Sequence, residues 1–275
     1  MNKLLLKNKT ALISATIILV IVILSILAPF LSSYDETSQD LMHRLMAPGN
    51  GHIFGTDELG RDVFTRVFYG ARVSLLIALL PTALALLAGT AVGVSAAIYK
   101  GAADFIIMRF SDVMLSIPGM LLSMVVLYTF GGSLSSVVTA LVLIEWGGIA
   151  RVVRTATLEI CEKEYIEAAV STGAGQLYII FSHIIPNLIP TLIVLFTLNI
   201  PSSILAESTL SFLGIGVQPP QVSLGLMTGA SRQYLFLMPW LALAPSGIIM
   251  LLVLSFNFLG DAFTDILDPR RQHYE

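Results

Sequence analysis

Glu145 and Glu207 stand inside long uncharged stretches, where an acid must find a partner, reach water or hold a proton. The chemistry they offer is the binding of a cation or a proton. Cys161 is the single cysteine, so an internal disulfide and a thiolate metal cage are both excluded. His43, His52, His183 and His273 lie apart, without ligand-like spacing, and no metal site is expected. No Ser/His/Asp or Cys/His arrangement is evident, and no G-x-x-x-x-G-K-S/T run exists to cradle phosphates. No cofactor and no catalytic residue are expected, so the chain is not read as an enzyme. A different use of charge occurs at Glu164 and Glu167, whose three-residue spacing puts both carboxylates on one helix face. Tyr165, Ala168, Ala169 and Thr172 surround that face, and the paired alanines allow a partner backbone to come close.

Those residues open the stretch EYIEAAVSTGAGQLYIIFSHIIPNLIP, 164 to 190. Gly173 and Gly175 can take positive φ and end the first helix. Gln176 to Ile185 reads as a second helix, stopped or kinked by Pro186. The stretch is therefore expected to be a polar-edged helical hairpin between apolar segments.

Composition says what holds this hairpin. Of 275 residues, 56% are hydrophobic and 12% charged, with a mean hydropathy of +0.85, which implies an integral membrane protein. A net charge of −3 without Lys/Arg clusters argues against nucleic acid. Six spans are expected, all α: about 11–31, 73–99, 105–130, 134–149, 189–212 and 239–259. The first is too long for a cleaved leader and is read as a retained span. Gly89 and Gly93 permit close helix approach, within this chain or on a partner subunit. Gly131-Gly132-Ser133 separates the third and fourth spans, and Arg151 and Arg154 are expected to stop the fourth. Pro201 is expected to interrupt the fifth. The segment 214–231 is too rich in Gly, Pro and Ser to cross as one helix.

Lys and Arg favour the cytoplasmic side of short loops. With the N-terminus inside, Lys3, Lys7, Lys9, Lys100, Arg109, Arg151, Arg154, Lys163, Arg270 and Arg271 fall inside, against Arg44, Arg61, Arg66, Arg72 and Arg232 outside. Four spans then return the 151–188 region to the cytoplasm. Within the spans, Arg109 and Asp112 are expected to neutralise one another, and Glu145 to form a structural ion pair near Arg151.

The spacing Glu167-Ala168-Ala169, Gly173, Pro186 resembles the EAA loop of inner-membrane permeases of binding-protein-dependent ABC importers. FGTDELGRDVFTRVFYGARVSL, 54 to 75, is similar to the entry to the second span in the dipeptide, oligopeptide and nickel group. MRFSDVMLSIPGMLL resembles that group's third span. Gly216-Val217-Gln218-Pro219-Pro220 with Ser223 and Gly225 resembles its external loop, with Leu224 where tryptophan is usual. Phe256-Asn257, Gly260-Asp261, Asp265 and Leu267-Asp268-Pro269-Arg270 resemble its C-terminal signature, with Thr264 in place of a basic residue.

The resemblance implies a type I importer permease with residues 1–70 as an N-terminal span and external loop and 71–275 as a five-helix core. It implies that Glu164, Tyr165, Glu167, Ala168, Ala169, Gly173 and Pro186 couple the chain to an ATPase. AESTLSFLGIG resembles a segment running into the external mouth, so Glu207, Ser208 and Ser211 are expected along the translocation pathway. The implied partners are a second homologous permease, two cytoplasmic ATPases, an extracytoplasmic binding protein and the lipid bilayer of a bacterial inner membrane. The implied cargo is a peptide, with nickel or a metal chelate as the alternative. An ion-coupled carrier working through Glu145 and Glu207 and a structural scaffold are the rival readings from outside the family.

Overall fold

The computed structural model describes residues 8–49 and 51–267. Lys3, Lys7, the signature residues Asp268, Pro269 and Arg270, and also Arg271 and His273 lie outside the described residues. Apolar runs satisfy their backbone groups internally by forming helices, the one open-ended structure that can cross lipid. The chain runs α1 (Lys9–Leu31), α2 (Val63–Tyr99), α3 (Gly101–Ser116), α4 (Gly119–Phe130), α5 (Leu134–Cys161) and α6 (Glu164–Ser171). It continues through α7 (Gln176–Phe212), α8 (Leu224–Ala230) and α9 (Trp240–Leu267). Among the described residues, α1, α2, α5, α7 and α9 are each long and apolar enough to cross a membrane, and α3 with α4 supplies a bent sixth span.

That third span was expected as one helix over 105–130, and it breaks by 84° between Ser116 and Gly119. Pro118 has no N–H and disfavours α geometry in the residue before it. Ile117 is accordingly extended, at φ −82° and ψ 126°.

Other boundaries also move. The second span starts at Val63, well before 73, because Asp62 caps it by accepting from the Thr65 amide at 2.7 Å. Arg151 and Arg154 do not stop the fourth span, since α5 continues to Cys161. Both cations find carboxylates: Arg151 Nη2 lies 2.5 Å from Asp112 Oδ1, and Arg154 forms two contacts to Asp104. Arg109 does approach Asp112, at 3.6 Å, but Arg151 is the nearer partner. Pro201 lies within an unbroken helix.

The hairpin's second arm differs most. Pro186 neither ends a helix nor separates it from the next span. α7 is a single 37-residue run, and the missing proline donor is accommodated by a π turn over Ile180–Ile184, where the Ile185 amide reaches the Ile180 carbonyl.

Packing puts α2 at the centre. Gly89 faces Ile149 and Trp146, and Gly93 faces Ala150 and Val153, so α2 and α5 lie side by side in the same direction. The close approach that these glycines permit is therefore made within this chain. α7 runs antiparallel to α2, with Thr82 beside Ser203 and Ser74 beside Glu207. These pairings put residues 32–49, 51–62, 131–133 and 213–239 at one end of the bundle, the cap end. Residues 162–175 lie at the other, the hairpin end.

Candidate functional site

At the hairpin end, α6 has eight residues and Glu164 and Glu167 in its first turn, where negative charge complements the exposed amides. Its geometry is set by one buried side chain. Ile166, 5% exposed, packs with Ile179, Ile184, Leu188 and Val153, while Glu164, Tyr165, Glu167 and Ala168 face outward and Ala169 is half-buried. The short helix is thus anchored on one face and presented on the other.

Its end is closed by backbone hydrogen bonds. The Gly173 amide donates to the Val170 carbonyl at 2.9 Å and the Ala174 amide to the Ala169 carbonyl at 3.0 Å. That pair of bonds is the Schellman closure, which requires a left-handed residue between helix and loop. Gly173 supplies it at φ +82°. Gly175 does not take positive φ, standing at −68° as the N-cap of α7. His183, in the π turn, lies between Tyr165 at 6.1 Å and Tyr178 at 5.6 Å, linking the hairpin's two arms. Pro186 is exposed in the turn that follows.

Fifty residues separate Asp104 from Arg154, yet they meet at this end of the bundle. This pair ties α3 to the last turns of α5, the helix that leads into α6.

At the cap end, Glu207 is 1% exposed and surrounded by hydroxyls. Ser211 donates to its Oε1 at 2.7 Å and Ser74 to its Oε2 at 3.4 Å. Each serine also accepts a loop amide: Val217 N–H donates to Ser211 Oγ at 3.2 Å and Leu224 N–H to Ser74 Oγ at 3.2 Å. One carboxyl therefore holds both ends of the 217–224 segment through two relays. Ser208 is half-buried beside Gly225, and its hydroxyl has no hydrogen-bond partner. Glu207 and Ser211 face the interior of this chain and not an open path.

Glu145 does not form the expected ion pair with Arg151, which is taken by Asp112. It lies at mid-helix, accepts from Ser203, and through Ser203 reaches Thr82 at 2.8 Å. Spacing carried no signal for Ser74, Thr82, Ser203 or the Asp104–Arg154 pair, because each partner sits on a different helix.

The family profile described as the binding-protein-dependent transport system inner membrane component matches residues 89–273. This chain belongs to that family. A second profile, the N-terminal transmembrane domain of oligopeptide transport permease C, matches residues 3–48. The dipeptide transport system permease protein DppC of Alkalihalophilus pseudofirmus is 40% identical over 266 residues, covering 96% of this chain and 87% of the relative. The oligopeptide transport system permease protein OppC of Bacillus subtilis is 35% identical over 263 residues, covering 96% and 86%. The glutathione transport system permease protein GsiD of Pectobacterium atrosepticum is 37% identical over 266 residues, covering 96% and 88%. In three dimensions, an inward-facing structure of the MetNI methionine ABC transporter superposes with a TM-score of 0.59 at 19% identity, over 72% of this chain and 94% of that one. That likeness concerns the fold. The chain is a multi-pass helical component of an ABC importer.

Proposed function

We propose that this permease forms half of the translocation pathway of an ATP-driven importer of dipeptides and oligopeptides. The observation that carries the coupling part is the hairpin. It exposes Glu164, Tyr165, Glu167 and Ala168 on a helix that Ile166 fixes to the bundle and Gly173 closes. The names of the dipeptide, oligopeptide and glutathione relatives support the cargo class.

In this reading the hairpin lies in the cytoplasm, the described chain starts and ends on that side, and the membrane is the bacterial inner membrane. Residues 1–70 form a peripheral span and outer loop, and 71–275 form the transport core. A second homologous permease completes the pathway, two ATPases dock on the hairpins and hydrolyse ATP, and an extracytoplasmic binding protein delivers the peptide. Closure of the ATPases pushes α6, which moves α5 directly and α7 through the π turn. The Asp104–Arg154 pair carries the same displacement to α3. Such a push shifts the equilibrium between inward-open and outward-open states only because the two states differ in their contacts with the ATPase pair. Ala169 and Pro186 belong to the same coupling surface. Glu207 and Ser211 shape the outer mouth by holding the 217–224 segment, and Ser208 lies beside them against Gly225.

The test is reconstitution. The chain is co-purified with its partners, the subunits are identified by mass, and uptake of a dipeptide and of a nickel chelate is measured in proteoliposomes. Peptide uptake that requires ATP and the binding protein is expected. Uptake by the isolated chain in a proton gradient would overturn the reading.

A further inference from the structure

A cleft of about 460 Å³ opens at the cap end, away from the hairpin, with Pro219, Pro220 and Gln221 of the segment held by the Glu207 relays along one side. Its polar edge is built from Asp57, Glu58 and Arg61 of the cap and Arg66 of the first turn of α2, and its apolar wall includes Met227 and Leu241. The volume lies in the range of small-molecule sites, which pair an apolar lining with a few placed polar groups.

Arg66 makes this cleft more than a packing gap. Its side chain is 8% exposed. Nη1 donates to the Glu36 carbonyl at 3.0 Å, but Nε makes no hydrogen bond. The nearest carboxylate oxygen, Asp57 Oδ2, lies 3.4 Å away and already accepts from Arg61 Nε at 2.8 Å. That carboxylate oxygen is shared between two guanidinium groups, so Arg66 is held by one hydrogen bond and one long ion pair; Nε itself is enclosed, and a ligand meets the part of the guanidinium that lines the cleft. Arg61 is in turn shared between Asp57 and Glu58, the latter 3.8 Å away. Two cations and two anions along one edge give no net preference for either sign. They favour a ligand that carries both.

We propose that this cleft binds a short zwitterionic peptide. Its carboxylate accepts from Arg66, its ammonium meets Glu58, and a side chain rests against Met227 and Leu241. The ligand class rests on the peptide reading above, and the cleft's position makes it a station between delivery and passage.

The experiment uses the complete permease–ATPase complex without its binding protein and the photoreactive dipeptide alanyl-photoleucine, with cross-links mapped by mass spectrometry. Saturable labelling of the cleft wall is expected. Alanyl-leucine should suppress it at least tenfold, and the same peptide acetylated and amidated at its termini should not. Ala230→Trp, which adds bulk at an exposed position on the cleft lining, should reduce labelling at least tenfold, as should Arg66→Gln. The proposal is overturned if the cleft is not labelled in a complex that takes up alanyl-leucine with its binding protein, or if the blocked peptide competes equally. It is also overturned if Ala230→Trp labels normally, or if a binding-protein segment cross-links there and the dipeptide does not. Saturable labelling in a complex that shows no peptide uptake would instead overturn the transport reading and leave the site standing.

Discussion

Arg154 Nε and Nη2 each lie 2.5 Å from a different carboxylate oxygen of Asp104, a bidentate pair joining α5 to α3 at the hairpin end. Two-point contacts of this kind fix orientation as well as distance. The pair is partly exposed, so its contribution to stability is small, about 1 kcal/mol or less. Its geometric role is the larger one. Arg154→Lys keeps the charge and loses the fork. The expected outcome is normal assembly with a several-fold fall in peptide uptake per ATP hydrolysed, read in proteoliposomes. Unchanged coupling in the lysine variant would remove this pair from the transmission route.

Gly173→Asp and Gly173→Val separate backbone geometry from chemistry. A left-handed residue costs a non-glycine side chain about 1–2 kcal/mol, least for Asn and Asp, which bond locally. Nothing lies within 4 Å of the position a Cβ would take, so φ alone penalises the valine. Both variants should insert into the membrane and fail to retain the ATPases on affinity purification, the aspartate through added charge at the docking face and the valine through a frayed helix end. Gly173→Asn should retain them in large part.

The Glu207 relays predict a local defect. In Glu207→Leu, Ser74 and Ser211 lose the acceptor that orients them, and the Val217 and Leu224 amides lose their anchors. Each buried group left unsatisfied costs about 1–3 kcal/mol. The expected result is faster proteolysis and hydrogen exchange across 214–231, with α5 and the hairpin unaffected. Glu207→Gln, which still accepts on one side, should lie between leucine and wild type. Equal protection of 214–231 in the leucine variant would contradict the relay.

Gly89 and Gly93 test the α2–α5 contact. A Cβ at Gly93 would stand 2.5 Å from the Ala150 carbonyl oxygen and 3.0 Å from Val153 Cβ. Helices would have to separate, and overpacking of this kind costs about 1–3 kcal/mol or more. Gly93→Val should lower the thermal midpoint in detergent by several degrees and reduce the yield of assembled complex. Gly148→Ala is the control, because no atom lies within 4 Å of its added methyl.

Hydropathy and the glycine, proline and charge punctuation determined the spans of α1 and α9 to within a few residues at the start and the existence of the α6 hairpin. Lipid tolerates few alternatives for a long uncharged run, and the 164–173 spacing encodes a short amphipathic helix and its stop within ten positions. Local signals misled where a distant partner changes the outcome. Arg151 and Arg154 look like helix stops until Asp112 and Asp104 arrive from α3. Pro186 looks like a terminus until a π turn lets the helix continue. Glu145 looks like a partner for Arg151, but that arginine reaches another acid, while Ser203 reaches Glu145 from α7. The cleft at Arg66 and the Ser74 side of the cage at Glu207 belong to the tertiary structure, whereas Ser211 reaches Glu207 one turn along the same helix. Their donors and acceptors come from segments as much as 150 residues apart, and one-dimensional periodicity reports which way a residue faces along its own helix but not which residue waits across the contact.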